Sequence, residues 1–340
     1  MAENSPAMKT VLNQLFDHRT LSAEESHALL IGMGENAYSE AEMAACLGAF
    51  RMRSMTVAEL EGFRRAMLQL CRRVDLSKYD AIDLCGTGGD GKNTFNISTL
   101  SSFVVAACGV PVAKHGNYGV SSVCGSSNVL EAIGVKFQNE QAGLLAQLDA
   151  AGICFMHAPL FHPAMKYIAP VRRALGVSTF FNMLGPIVNP SSPRRQMIGV
   201  YSLELARLYA YTLQQTDKEY AIVHSLDGYD ETSLTGPVRI ISRQEDLLLS
   251  PSDFGLKAVE ASEIHGGNTV EEATEIFLKV LSGKGSDSQN AVVCANSALA
   301  LRVARPELKL KDAAERARDT LTSGKAQEVL EKLQALAGSK

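Results

Sequence analysis

Along the first eighty residues, apolar positions recur at helical spacing, and each run opens behind a hydroxyl residue followed three positions later by glutamate. Ser22 precedes Glu25, Ser39 precedes Glu42 and Thr56 precedes Glu59, which makes three capping boxes. Behind the third, Leu60, Phe63, Met67 and Leu70 fall on one helical face. An amphipathic helix around Val11, Leu12 and Leu15 stands ahead of the first. The pattern predicts a small helical domain over residues 1–75, with one apolar face left for a neighbour or a second subunit.

After Asp80 the rhythm changes to short apolar runs alternating with helical periods. Strands are predicted over 81–84, 110–113, 153–156, 197–201, 220–223 and 238–241. Helices are predicted over 98–108, near 128–133, and over 142–151, 164–175 and 203–214. The last hundred residues read as helices, with 269–281, 291–304 and 326–336 the clearest. This alternation implies an α/β domain over 76–340 with a mostly parallel central sheet covered on both faces. The small helical domain is expected to pack on it. No linker, repeat or low-complexity segment marks the boundary near residue 75, only the change of period.

Composition narrows the class. Hydrophobic residues make up 46% of 340 and charged residues 21%, as in ordinary globular proteins. A net charge of −4 supplies no basic field for nucleic acid, so any polyanion site must be local. No apolar run approaches the ~20 residues of a membrane span and no secretory leader is evident, so neither membrane nor export is expected. Seven scattered cysteines without a C-x-x-C pair predict reduced thiols in a cytoplasmic protein. Cys85 and Cys124 lie inside motifs, but nothing nearby marks either as a nucleophile.

The chemistry concentrates in the middle. Residues 83–91 read Asp-Leu-Cys-Gly-Thr-Gly-Gly-Asp-Gly, and 91–130 then contain no Asp or Glu, against about four at the chain's average. Glycine, hydroxyl and amide side chains, Lys92, Lys114 and His115 stand there instead, an inventory suited to a ligand with several phosphates. Gly86, Gly88 and Gly91 match the dinucleotide fingerprint, but the acidic residue it needs some 20 positions on is missing. Gly86 to Lys92 also resembles a P-loop, but Asn93 occupies the Ser/Thr position. A helix start bearing Asn96, Ser98 and Thr99 favours anions. Lys114 is expected at the end of the next strand, on the same sheet edge as the glycine loop.

Longer motifs carry a resemblance. Gly86-Thr87-Gly88-Gly89-Asp90, Asn96-Ile97-Ser98-Thr99, Lys114-His115-Gly116-Asn117, Ser121-Ser122, Gly125-Ser126 and the run 129–134 resemble the anthranilate phosphoribosyltransferases of tryptophan biosynthesis. So do His162-Pro163-Ala164-Met165, Val171-Arg172-Arg173, the run 181–186, Asn189-Pro190, the run 227–231 and Gly266-Gly267-Asn268, in order along nearly the whole chain.

The resemblance implies transfer of the 5-phosphoribosyl group of phosphoribosyl pyrophosphate (PRPP) to the amino group of anthranilate, with release of pyrophosphate. It implies that Gly86, Gly89, Asp90, Thr94, Asn96, Ile97, Ser98, Thr99, Lys114 and Ser126 hold PRPP. His115, Gly116, Asn117, Tyr118, Gly119, Val120, Ser121 and Ser122 add contacts. Gly86, Asn117 and Arg172 would meet anthranilate, and Ser98 with Asp230 and Glu231 would bind two magnesium ions. It also implies that part of 165–195 joins the helical domain and that the protein is a homodimer. Oxygen ligands suit magnesium, and a guanidinium fork suits a planar carboxylate.

By themselves the residues leave alternatives open. Asp230 and Glu231 also fit an exposed turn, His115 a core or structural histidine as well as a catalytic one, and Arg172 and Arg173 favourable cations near a helix end. His162 fits a simple helix start. Tyr118 and Ser178 stand where relatives often carry basic residues. A pyrimidine nucleoside phosphorylase or a nucleic-acid-binding relative of the same fold remain the rivals.

Overall fold

The computed structural model describes residues 5–119 and 123–336. The chain divides into two compact units, one comprising Met1–Val74 with Ala158–Pro190 and the other Asp75–His157 with Ser191–Lys340.

In the first unit the main helices are Met8–Phe16, Ala23–Gly34, Glu40–Arg51, Val57–Leu70 and Met165–Leu175. All three capping boxes form, with hydroxyl and glutamate each accepting the other's backbone N–H. An aromatic cluster fills the core: Phe63 stacks on Phe180 at 4.3 Å, and Phe50 meets both edge-on. The third capping glutamate does more than cap. Glu59 is fully buried and accepts from Arg53 Nη1 (2.9 Å) and Nη2 (2.5 Å) and from the Leu21 and Thr56 N–H groups (2.9 Å each). Burial alone would raise its pKa, but Arg53 and the two N–H donors outweigh it and hold the carboxyl below its usual value.

In the second unit the strands are β1 (Ile82–Gly86), β2 (Val112–Gly116), β3 (Ile153–His157), β4 (Arg195–Gly199), β5 (Glu219–Ser225), β6 (Val238–Ser242) and β7 (Asp246–Leu249). They form one sheet in the order β3-β2-β1-β4-β5-β6-β7. The first five are parallel, and β6 and β7 add an antiparallel edge. The helix Ile97–Ala107 is buried along nearly its whole length, consistent with cover on the sheet. Among the described residues no helix is long and apolar enough to cross a membrane.

Several short elements were not expected from the sequence, among them the helices Ala158–Phe161 and Phe181–Leu184. The strand β7 is four residues long and half exposed, so its apolar pattern is too brief to register. The helix Leu310–Thr322 falls inside the C-terminal stretch read as helical and buries Ala313, Ala314, Ala317 and Leu321.

The strand order reverses between β1 and β4. From β1 the chain steps outward to β2 and β3, and from β4 it steps the other way to β5. Gly86 and Gly199 face each other in register at the two carboxyl ends. In an open parallel sheet, that is where a ligand crevice forms.

Candidate active site

Gly86 and Gly199 are bare for a reason visible only in three dimensions: the Asp230 segment crosses over them. A Cβ on Gly199 would lie 1.6 Å from the Asp230 carbonyl oxygen, and one on Gly86 would lie 2.5 Å from Asp230 Oδ2. The crossing segment follows β5 and is tied from behind. Ser225 Oγ donates to the Glu231 carbonyl (2.6 Å) and accepts the Ser233 N–H (3.2 Å). Asn296, on the helix Asp287–Ala304, accepts the Thr232 N–H (3.0 Å) and donates to the Thr232 carbonyl (2.9 Å). Asp230 and Glu231 are accordingly buried, which corrects the exposed-turn alternative.

The glycine loop closes onto this turn. The Thr87 N–H donates to the Gly199 carbonyl (2.9 Å). Gly88, in the left-handed region at φ 62°, aims its N–H at Asp230 Oδ2 (2.7 Å). Asp90 Oδ1 accepts the Lys92 N–H (3.0 Å). The return limb is anchored by the Gly266-Gly267 segment: Asn93 donates to the Gly267 carbonyl (2.8 Å), and Thr94 bridges His265. That segment therefore braces the loop. Ile97 opens the following helix, where the Ser98 N–H donates to Glu231 Oε1 (3.2 Å) and Thr99 is buried. Asn96 stands at the N-cap position, but its amide donates to the Cys124 carbonyl (2.9 Å) and not to the helix.

Lys114 is not at the strand end. It is the third residue of β2 and is buried, because the strand continues through His115, whose N–H is held by Asp83 Oδ1 (3.1 Å). From below, Lys114 Nζ donates to the Leu84 carbonyl (2.5 Å) and to Ser98 Oγ (3.4 Å).

The electrostatics are lopsided. Burial and the nearby Asp90 charge push the Asp230 carboxyl above the ordinary range. Burial and Asp230 do the same to Glu231, with Lys114 opposing. Asp230 and Glu231 thus lie side by side and buried, with Lys114 offsetting Glu231. Their all-oxygen donor set and excess negative charge fit a hard divalent cation. Among the described residues, no group of three or more His, Cys, Asp or Glu side chains is arranged to hold a metal ion, so the fit rests on two carboxylates with Ser98.

Beyond Gly116 the chain is held by Asn128, a residue the motif reading did not single out. Its Oδ1 accepts the Gly119 and Gly125 N–H groups (2.9 and 3.0 Å), while the Asn117 carbonyl accepts from Ser126 Oγ and the Ser127 N–H. The Tyr118 hydroxyl donates to Glu131 (3.3 Å), and its ring meets His157 edge-on at 4.8 Å. Val120, Ser121 and Ser122 lie outside the described residues.

Burial pushes the Cys85 thiol up to about 12 and Cys124 up to about 11, so neither is a ready nucleophile. Arg172 belongs to the helical unit, in the last turn of Met165–Leu175. It donates to Asn182 Oδ1 (3.2 Å), lies over the Phe181 ring, and burial lowers its pKa.

Comparison with known proteins matches residues 78–327 to the glycosyl transferase family a/b domain and residues 9–71 to the helical bundle domain of the same family. An anthranilate phosphoribosyltransferase of Flavobacterium johnsoniae is 54% identical, covering 97% of this chain and 99% of its own length. The anthranilate phosphoribosyltransferase of Saccharomyces cerevisiae, solved in complex with PRPP and Mg, superposes with a TM-score of 0.90 at 26% identity, covering 98% of each chain. Its complex with 4-fluoroanthranilate gives 0.87, with the same identity and coverage.

Proposed function

The chain belongs to the anthranilate phosphoribosyltransferase family, and we propose that it transfers the 5-phosphoribosyl group of PRPP to the amino group of anthranilate, releasing pyrophosphate. The observation that carries this reading is the buried Asp230-Glu231 turn laid across Gly86 and Gly199, beside the acid-free stretch 91–130 that follows the glycine loop.

The chemistry follows from the parts. Pyrophosphate gains negative charge as its bond to ribose C1 breaks, and the positive dipole end of the helix Ile97–Ala107 favours that charge. Ser98, Asp230 and Glu231 would hold magnesium, in two ions under this reading. The ion supplies neutralisation of the leaving diphosphate. Lys114 acts from beneath, fixing Ser98 and offsetting the Glu231 charge. Gly86, Gly89, Asp90, Thr94, Asn96, Ile97, Ser98, Thr99, the run 114–122 and Ser126 hold the donor. Gly86, Asn117 and Arg172 orient anthranilate, the guanidinium pairing with its carboxylate. The anthranilate amine is already a usable nucleophile, so positioning matters more than a strong base. The protein works as a cytoplasmic homodimer; its free cysteines support the first reading, and exposed Phe16 and Met52 in the helical unit the second.

The chain contains no tryptophan, so anthranilate fluorescence is read without indole background. Anthranilate, PRPP and magnesium with folded protein should give a falling signal. An unchanged signal, or phosphorolysis of thymidine instead, would overturn the reading. In the same assay Arg172→Ala should raise KM for anthranilate at least roughly tenfold with KM for PRPP mostly retained, the loss of one charge-assisted pair.

A further inference from the structure

Lys92 and Lys114 are the cations of the acid-free stretch, and they are used differently. Lys114 is buried and committed to Leu84 and Ser98. Lys92 is exposed on the glycine loop, where Asp90 fixes its backbone. Its side chain runs along the turn that leads into Asp230: a Cβ on Gly228 would lie 3.5 Å from Lys92 Cε, and Nζ rests 4.8 Å from the centre of the Tyr229 ring. The ammonium thus stands beside the carboxylate turn, yet its resting partner is an aromatic face. An exposed cation is held only weakly there. A phosphate oxygen offers a charge-assisted hydrogen bond, which is stronger.

We infer that Lys92 is a further anion-binding residue of this site, leaving the Tyr229 face to pair with the diphosphate of the donor. The assignment deepens the proposed reading and rests on its donor being a sugar diphosphate.

The test uses inorganic pyrophosphate with magnesium, titrated calorimetrically into the full chain and into Lys92→Met and Lys92→Arg, alongside KM values for both substrates. Lys92→Met should weaken pyrophosphate binding roughly tenfold, the value of one charge-assisted contact, and raise KM for PRPP to match. KM for anthranilate and the melting temperature should stay in place, and Lys92→Arg should keep most of the affinity. Unchanged pyrophosphate binding in Lys92→Met would overturn the assignment. So would a fall in melting temperature with both KM values rising together, the mark of a loop strut. If Lys92→Met loses pyrophosphate affinity while wild type fails to turn over anthranilate, Lys92 stands as an anion ligand and the activity proposed above falls.

Discussion

Gly86 and Gly199 differ in what a methyl group would strike. On Gly199 it meets the Asp230 carbonyl at 1.6 Å, main chain that is pinned just downstream, at Glu231 by Ser225 and at Thr232 by Asn296. On Gly86 it meets the Asp230 carboxylate at 2.5 Å, the end of a side chain that can turn aside. Gly199→Ala should therefore destabilise the fold by about 3 kcal/mol, the upper range for overpacking. Gly86→Ala should cost about 1 kcal/mol, the bond from the Gly88 N–H, while weakening magnesium-dependent PRPP binding. Urea midpoints and the magnesium dependence of KM separate the two cases. Equal losses of stability would mean that the Asp230 main chain yields as easily as its side chain.

At the scale of elements, the helix Asp287–Ala304 clamps the turn between β5 and β6 through Asn296. Replacing Asn296 with Leu leaves a buried N–H and a buried carbonyl of Thr232 without this partner, at a cost of about 3 kcal/mol for the two. Because that turn carries Asp230 and Glu231, kcat/KM for PRPP should fall well beyond what the unfolded fraction explains. A variant that loses stability but keeps full kcat/KM when folded would separate the clamp from the site. Asn296 had a sequence signal, an amide inside the apolar run Val292–Leu301, but its partner lies 64 positions away. The capping boxes and the strand-helix alternation were legible because both are written in local spacing. The depth of Lys114 and the burial of Asp230 and Glu231 were not, because each depends on chain brought in from elsewhere: Asp83 beside β2, and Gly199 beneath the turn.

Across the molecule the two units respond to acid in opposite senses. Asp230 and Glu231, whose carboxyls are raised, gain stability as pH falls, whereas two buried ionisable groups of the helical unit, His162 and Glu59, both lose it. Burial holds His162 neutral, with its pKa lowered to about 4 from an ordinary 6.5. Above pH 6.5 both folded and unfolded chains leave it neutral, and no stability depends on it. Between 6.5 and 4 the unfolded chain takes up the proton that the folded chain refuses, so stability falls as pH falls, by about 1.4 kcal/mol per unit. Glu59 is a carboxylate held below its usual pKa, so its contribution is complete above the unfolded carboxylate range and is lost as pH drops through the folded value. The helical unit should therefore weaken first through His162 and then, at lower pH, through Glu59. Urea unfolding followed by hydrogen exchange in Ala23–Gly34 and Val57–Leu70 should show about 2–3 kcal/mol lost between pH 6.5 and 4.5. In His162→Gln that loss should largely vanish while the steeper fall at lower pH remains, since Glu59 and Arg53 are untouched. Parallel profiles for the two proteins would remove His162 as the cause and leave the acid response to carboxylates alone.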